Sequence, residues 1–325
     1  MKIISNKNRI SLLVTGAGGF IGSNLCRELL KRDYNVIGLY HTRKDRLSGL
    51  TSNKHFRMIK IDLSDYNAIL KITKKLDIHT VFHTAAFNPC KHVDSVFPYF
   101  NSNTLATLNL LEACRISGIG RIVYSSSMSL YGNNIQYLPV DEKHPTSPDT
   151  LYSLTKFQGE ELCRLYANQF GMKIYSLRYS GVYGPGRDWG AIALFISQAL
   201  KNKPIKVLSN IEWDIIHVKD VVKCNYLAFK NFDKIRFEII NVGVSKKINI
   251  RDIAKFVIQK LHSKSQLDLC SYPVSVSFKF YYNINKANRV LNFHPTKIED
   301  GLSEYIEYEK KRLEKNESTN CKTLF

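Results

Sequence analysis

One short segment near the start of the chain constrains the fold more than any other. It reads Thr-Gly-Ala-Gly-Gly-Phe-Ile-Gly over residues 15–22, and it joins an apolar run to an amphipathic one. In a strand–turn–helix unit, Gly16 permits the tight turn, Gly19 lets the backbone approach a pyrophosphate, and Gly22 lets the helix pack against the strand. The N–H groups and the dipole at the helix N-terminus favour phosphate. Because the glycines stand in this context, they predict a dinucleotide-binding site.

The rest of the first half alternates short apolar runs with segments of helical periodicity. This alternation predicts an α/β fold with a doubly wound, parallel Rossmann sheet. After residue 180 glycines become frequent and the pattern loosens, which favours a smaller, mixed α/β lobe. We therefore predict a dinucleotide-binding domain over residues 1–180, with return elements near 214–243, and a mainly substrate-binding lobe over residues 181–325.

Composition narrows the function classes. Of the 325 residues 44% are hydrophobic and 23% are charged, as in ordinary globular proteins, and no apolar run reaches the length of about 18 residues that a membrane span needs. The net charge of +19 comes from Lys and Arg residues spread along the chain. We therefore expect neither nucleic acid nor a membrane as a partner, and a cytoplasmic location. The seven cysteines lack Cys-x-x-Cys spacing, which predicts reduced, structural cysteines and no metal site.

The end of the second predicted strand bears on the choice of cofactor. Where an acid commonly holds the adenosine ribose of NAD, this chain has Tyr40, followed by His41, Thr42 and Arg43. A guanidinium can bind a 2′-phosphate through two parallel hydrogen bonds. The segment therefore favours NADP(H) and leaves NAD(H) possible. Asp62, at the end of the third predicted strand, could accept a hydrogen bond from the adenine amino group.

A tyrosine and a lysine four residues apart, Tyr152 and Lys156, share one face of a predicted helix. A tyrosine, with an ordinary pKa of about 10, is a weak base at neutral pH, and a neighbouring lysine stabilises its phenolate form. The same spacing occurs four times in the chain, but only this pair follows a serine-ended strand and opens a long helix. Ser127, at the end of that strand, could hold the substrate oxygen during hydride transfer.

Longer motifs connect these residues along most of the chain. With them the sequence resembles the extended short-chain dehydrogenases/reductases of the NAD(P)-dependent epimerase/dehydratase family. Beyond the glycine turn, the matching stretches include His-Thr-Ala-Ala at 83–86, Val-Tyr-Ser-Ser-Ser at 123–127, Leu-Tyr-Gly at 130–132, Tyr-Ser-Leu-Thr-Lys at 152–156, Leu-Arg-Tyr at 177–179, Val-Tyr-Gly-Pro at 182–185 and His-Val-Lys-Asp at 217–220.

The resemblance implies roles for individual residues. Ser127, Tyr152 and Lys156 take the catalytic positions, and Tyr179 is expected near the nicotinamide. The resemblance also implies a nucleotide-activated sugar as substrate and a homodimer. The implied cofactor-binding residues are Gly16, Gly19, Phe20, Ile21, Gly22, Asp62, Leu63, Ala85, Ala86, Asn103, Tyr152 and Lys156.

Some positions depart from the family's pattern. Gly181 stands where the family often has an asparagine that contacts substrate, and Trp213 stands where many members place an arginine on the substrate diphosphate. Arg187 could supply that charge from a neighbouring loop. Met128 and Ser129 replace the acidic pair that sugar 4,6-dehydratases need, which argues against dehydration. The predicted substrate-binding residues are Phe87, Ser127, Gly181, Arg187 and Trp213.

These observations leave three hypotheses. The missing acid after the second strand favours an NADPH-dependent reductase of a keto-sugar, because a net reduction consumes reduced cofactor. The alternative is an NAD-dependent nucleotide-sugar 4-epimerase that uses the same residues in both directions. A third hypothesis is a non-catalytic cofactor-binding scaffold or an RNA-associated protein, and the intact set of Ser127, Tyr152 and Lys156 argues against it.

Overall fold

A computed structural model describes residues 9–88, 94–208, 211–270 and 278–321. Its largest element is a sheet of seven strands, all of them parallel. Strand labels follow the chain order. The strands of this sheet are Ser11–Thr15 (β1), Asn35–Tyr40 (β2), Phe56–Lys60 (β3), Thr80–His83 (β4), Arg121–Ser127 (β5), Lys173–Tyr179 (β6) and Phe237–Val242 (β11).

The order across the sheet is β11-β6-β5-β4-β1-β2-β3. The chain therefore winds outward from β1 in one direction and returns to wind outward from β4 in the other. At such a switch point, the carboxyl ends of the two central strands leave a crevice in which doubly wound proteins bind their ligands. The predicted α/β, doubly wound Rossmann sheet is confirmed.

Helices cover both faces of this sheet, which is why its strands are apolar on both sides. One core combines the sheet with Leu25 of the first helix and Val221 of the seventh, and a second combines it with Leu110 and Cys163 on the opposite face. In chain order the helices are Phe20–Lys31 (α1), Tyr66–Lys75 (α2), Phe97–Tyr99 (α3), Ala106–Ile116 (α4), Leu151–Phe170 (α5), Ala191–Leu200 (α6), Val218–Lys230 (α7), Ile250–Leu261 (α8), Asn285–Leu291 (α9) and Ile298–Cys321 (α10).

Shorter strands after β6 form small sheets beside a third core. That core joins α6, α8 and α10 through residues such as Phe195, Val257 and Tyr305. The short strands pair as Gly181–Tyr183 (β7) with Ile215–His217 (β10), as Ile205–Leu208 (β8) with Leu267–Cys270 (β13), and as Ile211–Trp213 (β9) with both Ile248–Asn249 (β12) and Phe278–Phe280 (β14).

Four of the seven cysteines, Cys26, Cys114, Cys163 and Cys224, are free and buried. Cys90 lies outside the described residues, as do the side chains of Cys270 and Cys321. Within the described part of the chain, no helix combines the length and the apolar character that crossing a membrane would require. The same residues contain no group of three or more His, Cys, Asp or Glu side chains arranged to hold a metal ion.

Candidate active site

The glycine turn connects β1 to α1 and leaves no room for side chains. Gly16 has a φ of +63°, in the left-handed region that favours glycine, and a Cβ there would lie 2.6 Å from the Cα of Ala85. Gly18, which the spacing argument did not use, is equally constrained, because a Cβ there would lie 1.7 Å from the carbonyl oxygen of Arg43. A Cβ at Gly22 would lie 2.3 Å from the carbonyl oxygen of Gly16, so α1 packs directly on the turn.

A cavity of about 490 Å³, which we call the cofactor cavity, lies against this turn. Its walls come from the carboxyl ends of β1 to β4, the edge at which a doubly wound sheet binds its ligand. Its volume falls in the range of small-molecule sites, and its glycine side carries no Cβ, so the residues present fit a dinucleotide. The predicted site residues that line it are Gly16, Gly19, Arg43, Asp62, Leu63, Ala85, Ala86 and Phe87.

Two predicted cofactor residues, Phe20 and Ile21, lie in the first turn of α1 instead. Ile21 is half-buried and packs against the core, so its side chain supports the turn. The ring centroid of Phe20 lies 5.8 Å from the guanidinium of Arg187. Phe20 therefore connects the glycine turn with the loop that carries a predicted substrate residue.

Arg43 lines the cofactor cavity, but its guanidinium is already paired. It donates to Asp45 at 3.4 and 3.3 Å and to Asp188 at 3.3 Å. Asp188 also accepts from Arg46 at 3.0 Å. Two carboxylates thus engage Nε and Nη2 of Arg43, and a 2′-phosphate would have to compete with them. That Arg43 binds the cofactor stays a prediction.

Asp62 lies where the sequence placed it, just after β3 on the wall of the cavity. Its Oδ1 accepts from the backbone N–H of Ser64 at 2.9 Å, and its Oδ2 lies 3.7 Å from Nε2 of His41. The hydrogen bond from Ser64 lowers the pKa of this carboxyl. Asp62 is therefore ionised at neutral pH and acts as an acceptor on the cavity wall.

Asn103, predicted to bind the cofactor, is not among the residues that line the cofactor cavity. Its Oδ1 accepts from the backbone N–H of Phe87 at 2.7 Å, and its Nδ2 donates to the carbonyl of Phe87 at 3.1 Å and to Oγ1 of Thr155 at 2.9 Å. The buried carboxamide thus connects the loop after β4 to α5. Phe87, predicted as a substrate residue, lines the cofactor cavity and packs edge-on against Tyr99 at 5.1 Å.

Ser127 and Tyr152 come from different elements and meet, although neither is among the residues that line the cofactor cavity. Ser127 ends β5, and its Oγ accepts from the backbone N–H of Ser129 at 3.1 Å. Tyr152 lies in the first turn of α5, which the side chain of Thr150 caps. Burial raises the pKa of Tyr152, while its hydrogen bond with Ser127 and the charge of Arg187 act in the opposite direction. The structure therefore brings the two predicted hydroxyls together.

Lys156 lies one turn further along α5 and is 2% exposed. Its Nζ lies 4.1 Å from the ring centroid of Tyr124, which contributes a cation–π contact. Burial lowers the pKa of Lys156 to about 7, although the charges of Cys163 and Glu160 raise it. An ammonium with this pKa exchanges its proton in the neutral range, which suits a group that assists a tyrosine.

Tyr179, predicted to lie near the nicotinamide, ends β6. Its register partner on β5 is Ser127, yet its hydroxyl lies 3.3 Å from Oγ of Ser125 and accepts from Nδ2 of Asn225 at 2.8 Å. Asn225 belongs to α7, which covers one face of the sheet. Because a strand residue points to one face only, the Tyr179 ring enters that core, and its nearness to the nicotinamide stays a prediction.

A buried ion pair lies behind the catalytic helix. Glu160, one turn after Lys156, accepts from Nε of Arg178 at 3.2 Å and from Oγ of Ser176 at 2.7 Å. Arg178 also donates from Nη1 to the hydroxyl of Tyr131 at 2.7 Å. The side chains of Arg178 and Glu160 are 4% and 1% exposed. Glu160 therefore connects α5 to β6 and, through Tyr131, to the turn that follows Ser127.

Three predicted substrate residues, Gly181, Arg187 and Trp213, line a second, small cavity of about 70 Å³. We call it the tryptophan cavity, because Trp189 lines it as well. The guanidinium of Arg187 stacks 3.9 Å from the Trp189 ring centroid. A Cβ at Gly181 would lie 3.6 Å from Nε1 of Trp213, so the glycine leaves the space that the indole uses. The two departures from the family's pattern are therefore neighbours in space.

Sequence reasoning missed several residues of the site. Asp188 and Trp189 give no local signal, because their partners lie in distant parts of the chain. Glu160 does give a signal, since residues 152, 156 and 160 recur at helical spacing on one face. Gly18 is visible in the sequence as an additional glycine inside the turn.

The model of the NAD dependent epimerase/dehydratase family matches residues 12–243. A putative UDP-glucose 4-epimerase of Methanocaldococcus jannaschii is 31% identical over 309 residues, which cover 92% of this chain and 98% of that protein.

Two solved structures are also similar. The UDP-glucuronic acid 4-epimerase of Bacillus cereus, in complex with UDP-glucuronic acid and NAD, has a TM-score of 0.84 at 29% identity and covers 93% of this chain and 99% of that chain. The UDP-glucose 4-epimerase of Thermotoga maritima, with UDP-glucose, has a TM-score of 0.84 at 25% identity and covers 94% and 100%.

These relatives change the order of the hypotheses. They are 4-epimerases of UDP-sugars, and the Bacillus cereus enzyme holds NAD. They favour the NAD-dependent epimerase, which sequence analysis kept as its alternative, over the NADPH-dependent reductase, and they lend no support to NADP. From the family model, the full-length relatives and the fold, the chain belongs to the NAD dependent epimerase/dehydratase family and is an enzyme of the extended short-chain dehydrogenase/reductase type.

Proposed function

We propose that this protein is an NAD-dependent 4-epimerase of a UDP-activated hexose or hexuronic acid. The observation that supports it most directly is the meeting of Ser127 and Tyr152, one helical turn from Lys156, in a chain whose glycine turn borders a cavity that fits a dinucleotide. The choice of epimerisation and of NAD follows the relatives, whose named activities are of this kind.

The proposed mechanism uses the same residues in two directions. A bound nicotinamide ring supplies a hydride acceptor in the first half-reaction and a hydride donor in the second. Tyr152 accepts the proton of the substrate hydroxyl as the carbon is oxidised, and it returns that proton when the keto-sugar is reduced on its other face. Over the full cycle Tyr152 regains its proton, and neither the sugar nor the cofactor undergoes a net change of oxidation state.

Ser127 and Lys156 adjust Tyr152 for this work. Burial raises the pKa of Tyr152 and so disfavours its phenolate, while the hydrogen bond with Ser127 favours it. A protonated Lys156 one turn away adds a positive charge that stabilises the same phenolate. The hydroxyl of Ser127 is also placed to hold the substrate oxygen.

The tryptophan cavity is proposed to take the substrate side of the site. Arg187 offers the positive charge that a diphosphate requires, and its charge already reaches Tyr152. Trp213 and Trp189 supply aromatic walls. Gly181, Arg187 and Trp213 are therefore the residues in which we expect substrate preference to lie.

We also propose a homodimer formed through α4 and α5. Five leucines on or beside these helices remain more than a third exposed. Exposed apolar side chains of this kind often mark a surface that contacts another protein chain. The leucines are Leu108 on α4 and Leu151, Leu154 and Leu165 on α5, with Leu105 immediately before α4. Light scattering should report a mass of two chains, and Leu108→Glu with Leu154→Glu should convert it to one.

The function is tested by incubating the protein with UDP-glucose or UDP-glucuronic acid and catalytic NAD, and following the sugar by NMR. We expect inversion at C4 with no net change in NADH absorbance. Tyr152→Phe should lower the rate by about 10²- to 10⁴-fold. Tyr226→Phe is the matched control, because Tyr226 has a lysine at the same spacing but lies in α7.

Two results would contradict the proposal. One is stoichiometric consumption of NADPH with a keto-sugar and no inversion of either UDP-sugar, which would favour the hypothesis of an NADPH-dependent reductase. The other is equal activity of Tyr152→Phe and Tyr226→Phe, which would remove the site from the mechanism.

A further inference from the structure

A cluster of ion pairs lies at the edge of the cofactor cavity. Its members are Arg43, Asp45, Arg46 and Asp188. Asp188 accepts from both arginines, at 3.3 Å from Arg43 and 3.0 Å from Arg46, and Asp45 accepts from Arg43 at 3.3 and 3.4 Å. The arrangement combines two guanidinium groups with two carboxylates. Neither carboxylate is required by the proposed chemistry, so their function remains to be explained.

The backbone at Arg43 has little freedom. Its carbonyl oxygen lies so close to Gly18 that a Cβ there would stand 1.7 Å away. Residues 40–43 continue along the cofactor cavity from the end of β2, the strand end that meets the adenosine ribose in dinucleotide-binding sheets. The glycine turn thus fixes the backbone of Arg43, so only the side-chain conformation of Arg43 can change to contact a different partner.

The side chain of Arg43 also borders a third cavity, of about 390 Å³, that Asp45, Arg46 and Asp188 line as well. Arg43 therefore borders both cavities, whereas Asp45 and Asp188 line the third cavity and not the cofactor cavity. Asp188 belongs to the loop between β7 and α6, beyond the main sheet, so the pairing depends on the complete fold.

The charge around Arg43 affects whether the cofactor cavity accepts an adenosine ribose with a 2′-phosphate or one with a free 2′-hydroxyl. A 2′-phosphate brings about two negative charges and needs donors that are free. Here Nε and Nη2 of Arg43 already donate to carboxylates, and a phosphate would meet the charge of Asp45 and Asp188 as well. A 2′-hydroxyl carries no charge and avoids both costs.

We propose that Asp45 and Asp188 are cofactor-specificity residues, which hold the Arg43 guanidinium in ion pairs and thereby favour an unphosphorylated adenosine ribose over a 2′-phosphorylated one. The proposal rests on the proposed use of NAD, and it explains how a chain without an acid directly after β2 discriminates against NADP. Asp45 and Asp188 supply this discrimination indirectly, through Arg43.

The test measures dissociation constants of NAD and NADP by calorimetry, without any sugar present. In Asp45→Asn/Asp188→Asn the guanidinium is released, and we expect NADP to bind roughly fivefold to tenfold more tightly, with NAD changed by less than about twofold, since exposed ion pairs have energies of about 1 kcal/mol. Adding Arg43→Gln to the double variant should abolish the gain.

Glu309→Gln is the matched control. Glu309 lines the same third cavity and pairs with Arg312 at 2.6 Å, but it does not contact Arg43. An equal gain in NADP affinity from Glu309→Gln, no gain in the double variant, or a gain that survives Arg43→Gln would each overturn the proposal. Failure of the wild-type protein to bind NAD would instead contradict the proposed function, so the two failures are distinguishable.

Discussion

Two ion-pair clusters of this molecule use the same chemistry in opposite surroundings. The pair of Arg178 and Glu160 lies behind the catalytic helix with side chains 4% and 1% exposed. The cluster around Arg43 lies at the cavity edge, where the side chains of Arg43 and Asp188 are 49% and 44% exposed. Burial lowers the pKa of Arg178, but the charge of Glu160 outweighs it and the net shift is upward.

The difference between them concerns what each pair can be used for. A buried pair has no solvent to replace a lost partner, so it fixes the elements that it joins. An exposed pair contributes little to stability and exchanges its partner for water or ligand at small cost. The buried pair is therefore suited to hold α5 against β6, and the exposed cluster is suited to influence which ligand binds.

The largest expected effect comes from removing one member of the buried pair. Glu160→Ala leaves the Arg178 guanidinium buried without its carboxylate, and we expect a loss of about 3–5 kcal/mol in the free energy of unfolding. Urea denaturation measures it. Glu160→Met/Arg178→Met, which removes both charges, should recover much of the loss. If the double variant is as unstable as the single one, the buried charge is not the cause.

Lys156 extends the comparison of buried and exposed charges, because it is a buried cation for which no hydrogen-bonded carboxylate is described. Burial lowers the pKa of Lys156 to about 7, against 10.5 for an exposed lysine. Between these values the unfolded chain binds the proton that the folded chain releases, so this residue makes stability rise with pH over that window and contributes no slope below it. Lys156→Met should therefore be more stable than wild type at pH 6, by about 3 kcal/mol, with the advantage shrinking towards pH 10.

The measurement is the melting temperature of both proteins at several pH values without cofactor. Lys230→Met is a suitable control, since Lys230 is an exposed lysine at the end of α7. A constant difference between Lys156→Met and wild type from pH 6 to pH 10 would contradict the burial of a titrating ammonium.

The exposed cluster should respond much less. Asp188→Asn leaves Arg43 with Asp45 and exposed to solvent, so we expect a change of at most about 1 kcal/mol in the free energy of unfolding. Urea denaturation under the conditions used for Glu160→Ala gives a direct comparison. A loss as large as that of Glu160→Ala would mean that this cluster, too, holds the fold together.

The smallest expected effect is that of salt. At about 0.5 M salt, charges more than about 4–5 Å apart in solvent are largely screened, whereas buried charges are screened much less. Because the partners of Asp188 lie at 3.0 and 3.3 Å but in solvent, the stability difference between Asp188→Asn and wild type should shrink in high salt, while that of Glu160→Ala should persist. Denaturation curves at low and high salt separate the two cases.

The sequence predicted those parts of the molecule that depend on local pattern. The glycine turn, the alternation of strands and helices, and the helical spacing of Tyr152 and Lys156 all depend on neighbours in the chain. The tertiary partners of a side chain do not depend on its neighbours in the chain, so the local pattern did not predict them. Arg43 pairs with Asp188 across 145 positions of the sequence, and Asn103 gives its carboxamide to Phe87 and Thr155. No spacing rule shows which distant group will occupy a polar side chain.

Three predicted site residues have partners that the sequence did not show, for this reason. Arg43, Asn103 and Tyr179 each hydrogen-bond to a distant or unforeseen protein group, and their roles towards the cofactor stay predictions. Tyr179 shows a second reason, because a strand residue faces only one side of the sheet. The side that it faces is decided by the packing of α7, which the sequence pattern alone does not place.

The contact between Gly181 and Trp213 has a practical consequence for anyone who redesigns this enzyme. A Cβ at position 181 would lie in ordinary van der Waals contact with the indole, 3.6 Å from Nε1, and slightly closer to Cγ2 of Ile215, at 3.3 Å. An alanine there is therefore nearly accommodated, whereas a longer side chain shares its space with residue 213, so the two positions should be varied together. Libraries that vary the two positions one at a time will miss combinations that are sound together.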